Sequence, residues 1–179
     1  MRTAAIWFTA VVLAATADAG KRPGWADADR DCQNTRAEVL IASCEVLRDA
    51  KGCHVTLAVC RDIYSGETIA TAHPSRDIQI DHLLPQSVAR ERWTGTEAAF
   101  IRFYNDPENL VPTSARGNER KGALMPDQWC PAATWWRQTL AIRFAVVAMR
   151  HHIALTSSEM LALASWHEGR CTPHAKMIP

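Results

Sequence analysis

The chain has 179 residues, of which 47% are hydrophobic and 22% charged, and its formal net charge is +1. These values are typical of one globular domain. The low net charge counts mildly against a nucleic-acid partner but does not decide the matter, since a local basic strip could still bind phosphate. Beyond the N-terminus, the segment that comes closest to a membrane span is 139–149, and Arg143 interrupts it.

The N-terminus has the features of a secretory signal. Arg2 supplies a positive charge, residues 4–15 are apolar but too few for a comfortable membrane span, and residues 17–19 form an Ala-x-Ala cleavage site. We therefore predict a signal peptide over residues 1–19 and a mature domain over residues 20–179 that is secreted or periplasmic. The alternative interpretation is an uncleaved anchor helix.

All six cysteines follow the predicted cleavage site: Cys32, Cys44, Cys53, Cys60, Cys130 and Cys171. An even count in an exported chain predicts disulfide bonds, and six cysteines permit fifteen pairings. The absence of a Cys-x-x-Cys pair argues against a zinc ribbon. The simplest grouping joins the last two cysteines to each other. Among the first four we favour Cys32 with Cys53. The second bond is then Cys44 with Cys60, and other splits remain open.

The first part of the mature chain should form an irregular segment and then one helix. Residues 20–34 are polar and predicted to be extended or irregular. Thr35 and Glu38 fit a capping box, in which Thr35 caps the helix and Glu38 reaches back. Apolar residues then recur near helical spacing, and Gly52 is a plausible stop.

The middle of the chain should contain a small hairpin, then a strand, a helix and another strand. Residues 54–60 are β-branched and apolar, and residues 68–71 return after a turn signal. Residues 76–80 are the predicted strand before an Asp-His pair. Residues 96–104 have a helical pattern, and residues 109–112 form a short strand.

The remainder of the chain is predicted to be helical. Residues 114–121 form a short helix that Thr113 or Ser114 can cap. Residues 132–150 carry an apolar helical pattern, and a second capping box at residues 156–159 begins a helix that ends near residue 169. Together the elements predict one compact α+β domain.

The most specific pattern is an Asp81-His82 pair followed by Asn109 and then by Asn118-x-x-Lys121. Phosphodiester hydrolysis needs an activated water, a cation for the charge that develops on the leaving oxygen, and fixed geometry. Asp81 suits a hard cation such as Mg²⁺, and Asn118 could be the second ligand.

His82 follows Asp81 directly, so on a strand its side chain points to the opposite face, and we expect it across the scissile phosphate from the metal. An imidazole with an ordinary pKa near 6.5 is mostly neutral at working pH, as a general base must be. Lys121 lies on the same helix face as Asn118 and could face the phosphate. Asn109 could hydrogen-bond the loop that carries His82 and hold it in place.

These residues resemble the HNH (ββα-metal) endonucleases, in the variant where Asp replaces the first His and Asn the last. The local similarity to the HNH domain of CRISPR effector nucleases includes Asp-His-x-x-Pro-Gln-Ser, a later Asn and Asn-x-x-Lys. The resemblance implies a ββα-metal core. It implies these roles: metal ligands Asp81 and Asn118, general base His82, positioning residue Asn109 and phosphate contact Lys121.

The wider chain, roughly residues 25–175, is similar to a secreted bacterial HNH family related to the C-terminal domain of modification-dependent restriction enzymes. The motifs that carry this similarity lie at residues 29–36, 62–66, 79–82, 103–110, 118–122 and 128–129. Ile63 and Ser65 stand where that family usually has Pro and Thr, and Cys44 and Cys60 look additional. Gln79 stands where the CRISPR relatives have an acidic residue, so the resemblance supplies no third protein ligand.

Several residues have two interpretations. Arg116 and Arg120 could follow a DNA backbone or form a solvated helix face. Four histidines raise the alternative of a zinc site, although consecutive histidines on a helix do not easily face one ion. They are His151, His152, His167 and His174. The tryptophans Trp135, Trp136 and Trp166 are interpreted as core or disulfide packing, with a base-stacking platform as the alternative.

We expect an exported, monomeric endonuclease that hydrolyses DNA, with RNA as an alternative substrate, at low sequence specificity and with one Mg²⁺ or Mn²⁺ ion. The resemblance implies 5′-phosphate and 3′-hydroxyl products. One rival is a non-catalytic secreted nucleic-acid-binding module on a decayed nuclease fold. The other is a metal-dependent hydrolase of another substrate, such as cell-wall material. An inhibitor protein is not identifiable from the sequence.

Overall fold

The structure, a computed structural model, describes residues 23–172 and 175–178. The predicted signal peptide over residues 1–19 lies outside the described residues, as does His174. Within the described ranges, no helix combines the length and the apolar character that crossing a membrane requires.

Helix α1 spans Thr35–Ser43 and follows an irregular segment. Its N-cap is Asn34, whose side chain accepts a hydrogen bond from the Ala37 amide. The predicted Thr35 cap is therefore wrong by one residue; the Thr35 hydroxyl donates instead to the Ala26 carbonyl. The predicted end near Gly52 is also wrong, because the chain leaves the helix at Cys44 and continues as a strand.

A three-stranded antiparallel sheet follows α1. Its strands are β1 (Glu45–Arg48), β2 (Val55–Arg61) and β3 (Thr68–Thr71), in the order β1-β2-β3. The pair β2–β3 is the hairpin that the sequence predicts. Disulfides Cys32–Cys53 and Cys44–Cys60 tie this sheet to the irregular segment and to the end of α1, in the pairing that the sequence analysis favours.

A second, two-stranded antiparallel sheet and several short helices lie at the centre of the chain. The elements in order are the helical turn α2 (Pro74–Asp77), β4 (Ile78–His82), α3 (Gln86–Glu91), α4 (Glu97–Tyr104), a 3-10 turn (Pro107–Asn109), β5 (Leu110–Ser114) and α5 (Ala115–Lys121). Strand β4 begins at Ile78, so the predicted start at residue 76 is wrong: residues 76 and 77 belong to α2. Helix α3 is not predicted by the sequence.

The C-terminal part is mainly helical. It contains the short strand β6 (Trp129–Pro131), a 3-10 turn (Thr134–Trp136), α6 (Arg137–Arg150), α7 (Ser157–His167) and β7 (Lys176–Ile178), which pairs in parallel with β6. The predicted capping box at the start of α7 is confirmed. A third disulfide, Cys130–Cys171, joins β6 to the segment after α7. The described chain is thus an α+β fold with three disulfides.

Two apolar clusters pack on either side of the β4–β5 sheet. The smaller cluster joins α1 and β2 to Ile78, Ile80 and Leu110 of that sheet. The larger cluster joins Val111 of β5 to α4, α6 and α7. Because alternate residues of a strand face opposite sides, this double burial fixes the register of β4 and β5. The same register fixes the positions of Asp81 and His82 at the end of β4.

The tryptophans do not all pack in the core. Trp166 is fully buried and meets Trp129 edge to face, with ring centroids 4.8 Å apart. Trp136 is half-buried, whereas Trp135 is 51% exposed and carries the Arg61 guanidinium 5.1 Å above its ring. The packing interpretation is therefore wrong for Trp135.

Candidate active site

Strand β4 ends in the Asp81-His82 pair, and both residues are almost inaccessible. Asp81 is 9% exposed and His82 is 3% exposed. In the antiparallel register they lie opposite Val111 and Leu110 of β5. Because consecutive strand residues point to opposite faces, the two side chains have separate surroundings.

The Asp81 carboxylate is held through one of its two oxygens. Oδ2 accepts a hydrogen bond from the Tyr64 hydroxyl at 2.6 Å and forms an ion pair with Lys121 Nζ at 2.9 Å. Within residues 23–172, no hydrogen bond to Oδ1 is found. Burial, together with the charge of Asp81, raises the pKa of Tyr64 well above its ordinary value, so the phenol remains a donor. Oδ2 is thus occupied while Oδ1 remains an acceptor.

Lys121 is wholly buried rather than facing solvent. Besides Asp81, its ammonium donates to the His82 carbonyl at 2.8 Å and to the Gly122 carbonyl at 3.4 Å. These contacts use all three donors of the ammonium group. The resemblance implies a phosphate contact for Lys121; in this structure its ammonium instead joins α5 to the end of β4 through Asp81 and the His82 carbonyl.

Asn118 lies one turn before Lys121 on the same face of α5. Its side-chain amide nitrogen donates to the Gln79 side-chain oxygen. Gln79 and Asp81 share a face of β4, so Asn118 and Asp81 lie on the same side of the β4–β5 sheet. With its nitrogen bound to Gln79, Asn118 presents its carbonyl oxygen as an acceptor. Gln79 therefore orients a candidate ligand.

The His82 ring has a defined tautomer. Nε2 lies 2.8 Å from the Tyr104 carbonyl oxygen, which can only accept, so Nε2 carries the proton and Nδ1 has the lone pair. The Gln86 side-chain nitrogen lies 3.0 Å from Nδ1. Trp25 stacks on the ring at 6.0 Å with an interplanar angle of 12°. The ring is thus contacted at both nitrogens and on one face.

Asn109 makes the hydrogen bonds that a positioning role requires. It is fully buried, and its side-chain oxygen accepts from the Leu84 amide at 2.7 Å while its side-chain nitrogen donates to the Leu84 carbonyl at 3.3 Å. Its own carbonyl accepts from the Leu83 amide at 2.8 Å. Asn109 thereby fixes the two residues that directly follow His82.

The start of α5 is fixed by Asp62, which sequence reasoning missed. Asp62 Oδ1 accepts from the Thr113 hydroxyl at 2.9 Å, and Oδ2 accepts from the Ser114 amide at 3.0 Å. Gly117 packs against this group: a Cβ there would come within 2.7 Å of Thr113 Oγ1. Asp62 and Tyr64 both belong to the 62–66 motif, so the motif was visible in the sequence although its contacts were not.

Two further sets of residues were predicted, the arginines of α5 and the histidines of the C-terminal part. Arg116 is exposed on α5 and Arg120 is half-buried. Of the histidines, His151 binds the Asp106 carboxylate at 2.7 Å, and His152 and His167 are exposed. Among the described residues, no histidine belongs to a group of metal-ligating side chains.

Within the described ranges, one acidic group lies close enough together to hold an ion, at Asp27, Asp29 and Asp31. All three residues are exposed, and each carboxylate accepts a nearby main-chain amide hydrogen bond, as turn residues do. The group lies in the irregular segment before α1.

Comparison with known proteins gives a family and a relative. The family described as "GmrSD restriction endonucleases, C-terminal domain" matches residues 33–141. A protein named "Uncharacterized secreted protein" from Arthroderma benhamiae is 28% identical over 151 residues, which cover 81% of this chain and 71% of the relative. No solved structure matches. The family match spans more than half of the chain, from before α1 into α6, and includes both strands and the helix of the candidate site. The chain therefore belongs to the family of the C-terminal domain of GmrSD restriction endonucleases, an HNH-related nuclease family.

Proposed function

We propose that this protein is a metal-dependent HNH endonuclease whose β4, β5 and α5 form the ββα-metal core. The observation that carries the proposal is the pair of oxygens on one side of that core. Tyr64 and Lys121 hold Asp81 by one oxygen, and Gln79 holds Asn118 by its nitrogen. In both cases a hard oxygen acceptor is left for a cation.

The donor set fits one Mg²⁺ or Mn²⁺ ion. Mg²⁺ is usually bound in proteins by one or two carboxylate or carbonyl oxygens and keeps several waters. Asp81 and Asn118 would hold it, and a third protein ligand is not needed. When bound, the ion would neutralise the charge that develops on the leaving oxygen of a phosphodiester.

His82 would act as the general base through Nδ1. The Tyr104 carbonyl keeps the proton on Nε2, so the ring is oriented for proton uptake at Nδ1. Gln86 donates to Nδ1 and must yield this position to, or share it with, the attacking water. Asn109 holds the residues after His82 and so keeps the ring in place.

The substrate and the setting of the reaction are also proposals. DNA is the proposed substrate, with RNA as the alternative, because the matched family comprises restriction endonucleases. Three disulfides and a relative named as secreted support action outside the cytoplasm, by a mature monomeric domain over residues 20–179. A non-catalytic binding module on the same fold remains the second candidate, favoured by the burial of His82.

A plasmid-cleavage assay tests the proposal. Oxidised protein lacking residues 1–19 is incubated with supercoiled plasmid in Mg²⁺ or Mn²⁺, with and without a chelator. We expect nicked and then linear plasmid only in the presence of the free ion. Folded protein that binds DNA without cutting it in any divalent ion would support the binding module. A protein inert toward DNA and RNA would indicate a hydrolase of another substrate.

Arg116 should contribute to nucleic-acid binding through phosphate contact. Arg116→Ala is expected to weaken DNA binding uniformly across sequences and to reduce the slope of log affinity against log salt by about 1. The matched control is Arg48→Ala, which removes an equal charge from the exposed face of the outer strand β1. Equal effects of both substitutions in a fluorescence-anisotropy titration would show that Arg116 has no specific contact.

A further inference from the structure

Arg143 of helix α6 binds the backbone of the turn that carries Asn109. Its Nε donates to the Glu108 carbonyl at 3.0 Å, and its NH2 donates to the Pro107 carbonyl at 2.8 Å and to the Leu110 carbonyl at 2.9 Å. The side chain is 22% exposed, and burial lowers the pKa of its guanidinium. Three carbonyl contacts from one planar donor group fix the path of a turn more closely than a single contact does.

Arg150 lies two turns further along α6, on the same face, and binds Asp106, which caps the same turn. Its NH1 contacts both carboxylate oxygens of Asp106 at 2.9 Å. His151 and the Glu108 amide also bind Asp106. Burial would raise the pKa of Asp106, but the hydrogen bonds from His151, the Glu108 amide and Arg150 lower it below its ordinary value. The carboxylate is therefore ionised and firmly held.

The contacts form a continuous path from α6 to the candidate base. Arg143 and Arg150 hold residues 106–110. Asn109 within that turn binds Leu83 and Leu84. Those residues follow His82 directly, so a shift of the turn would move the backbone next to the imidazole. Partly burying the Arg143 guanidinium costs desolvation, which a positioning role would explain.

We propose that α6 positions the backbone that follows His82, and that Arg143 and Arg150 are positioning residues which act on His82 through Asn109. Both arginines lie beyond residue 141, where the family match ends. The effect on the Leu83–Leu84 backbone is expected whether or not the protein is an enzyme. The consequence of these arginine contacts for catalysis rests on the proposed nuclease function.

The test compares two buried arginines of the same helix. Arg137 also donates to main-chain carbonyls, of Pro131 and Gly169, both at 2.9 Å, but these lie at the other end of α6. The variants are Arg143→Lys and Arg137→Lys in the disulfide-bonded protein. Amide hydrogen exchange at Leu83 and Leu84 reports on the loop, and kcat and KM for plasmid cleavage report on the reaction.

We expect Arg143→Lys to accelerate exchange at both leucine amides by about tenfold and to lower kcat by about tenfold with little change in KM. Arg137→Lys should lower the melting temperature and leave both readouts unchanged. Equal exchange rates at Leu83 and Leu84 in the two variants would overturn the proposal, whether or not the protein cleaves DNA. Faster exchange with an unchanged kcat would overturn its catalytic half. Should Arg143→Lys not fold, Arg150→Gln, at a half-exposed side chain, takes its place with the same criteria.

Discussion

Replacing His82 with glutamine is expected to lower kcat/KM for DNA cleavage by about 10² to 10⁴-fold, the range for loss of a general base. Glutamine can still donate a hydrogen bond to the Tyr104 carbonyl, as Nε2 of His82 does, so the packing against Trp25 should largely survive. What it lacks is the basic nitrogen that corresponds to Nδ1. Steady-state cleavage of a labelled duplex at fixed Mg²⁺ measures the effect.

The control for this substitution is His54→Ala, because His54 is exposed before β2 and remote in sequence from the β4–β5–α5 site. Metal affinity should be unchanged in His82→Gln, since Asp81 points to the other face of β4. Undiminished cleavage by His82→Gln would show that this histidine is a buried structural residue and that another group activates the water.

The second large effect is expected at Lys121, where two roles predict different outcomes. The structure has its ammonium wholly buried against Asp81. Removal of one partner of a buried ion pair costs about 3–5 kcal/mol, because the other charge is left without compensation. Lys121→Met should therefore lower the free energy of unfolding by about that amount and weaken Mn²⁺ binding through a misplaced Asp81.

A phosphate-binding Lys121 would instead leave stability unchanged and raise KM. Denaturant unfolding of Lys121→Met, beside the exposed control Lys51→Met, distinguishes the roles. The double variant Asp81→Asn/Lys121→Met should be less destabilised than the sum of its single changes, because removing both charges leaves neither unpaired. Additive effects would contradict a direct interaction between the two side chains.

Local signals in the sequence predicted most of the elements whose ends are set by neighbouring residues. The Ser114 cap of α5 and the capping box of α7 both depend on contacts within four residues. Apart from the one-residue error at the Asn34 cap of α1, the prediction failed where distant pairing decides. Cys44 to Gly52 continues the helical pattern of α1, but β1 pairs with β2 and Cys44 bonds Cys60, so tertiary structure overrides local propensity.

The same distinction applies to the candidate site. The spacing of Asp81, Asn109 and Asn118 indicated residues that lie on β4, in the turn before β5 and on α5. The partners of these residues could not be read from spacing. Tyr64 reaches Asp81 from the segment after β2, and Arg143 comes from α6. A contact between residues that are far apart in the sequence leaves no periodic pattern in that sequence.

A Mn²⁺ titration followed by water proton relaxation decides whether Asp81 and Asn118 hold one divalent ion. We expect one saturable site in the oxidised protein, which Asn118→Ala abolishes or weakens by at least about tenfold without altering the fold, since Asn118 is half-buried. Asp29→Asn, in the exposed acidic group before α1, should leave that site intact. Binding that survives Asn118→Ala and disappears in Asp29→Asn would show that the ion binds the acidic group and not the β4–α5 site.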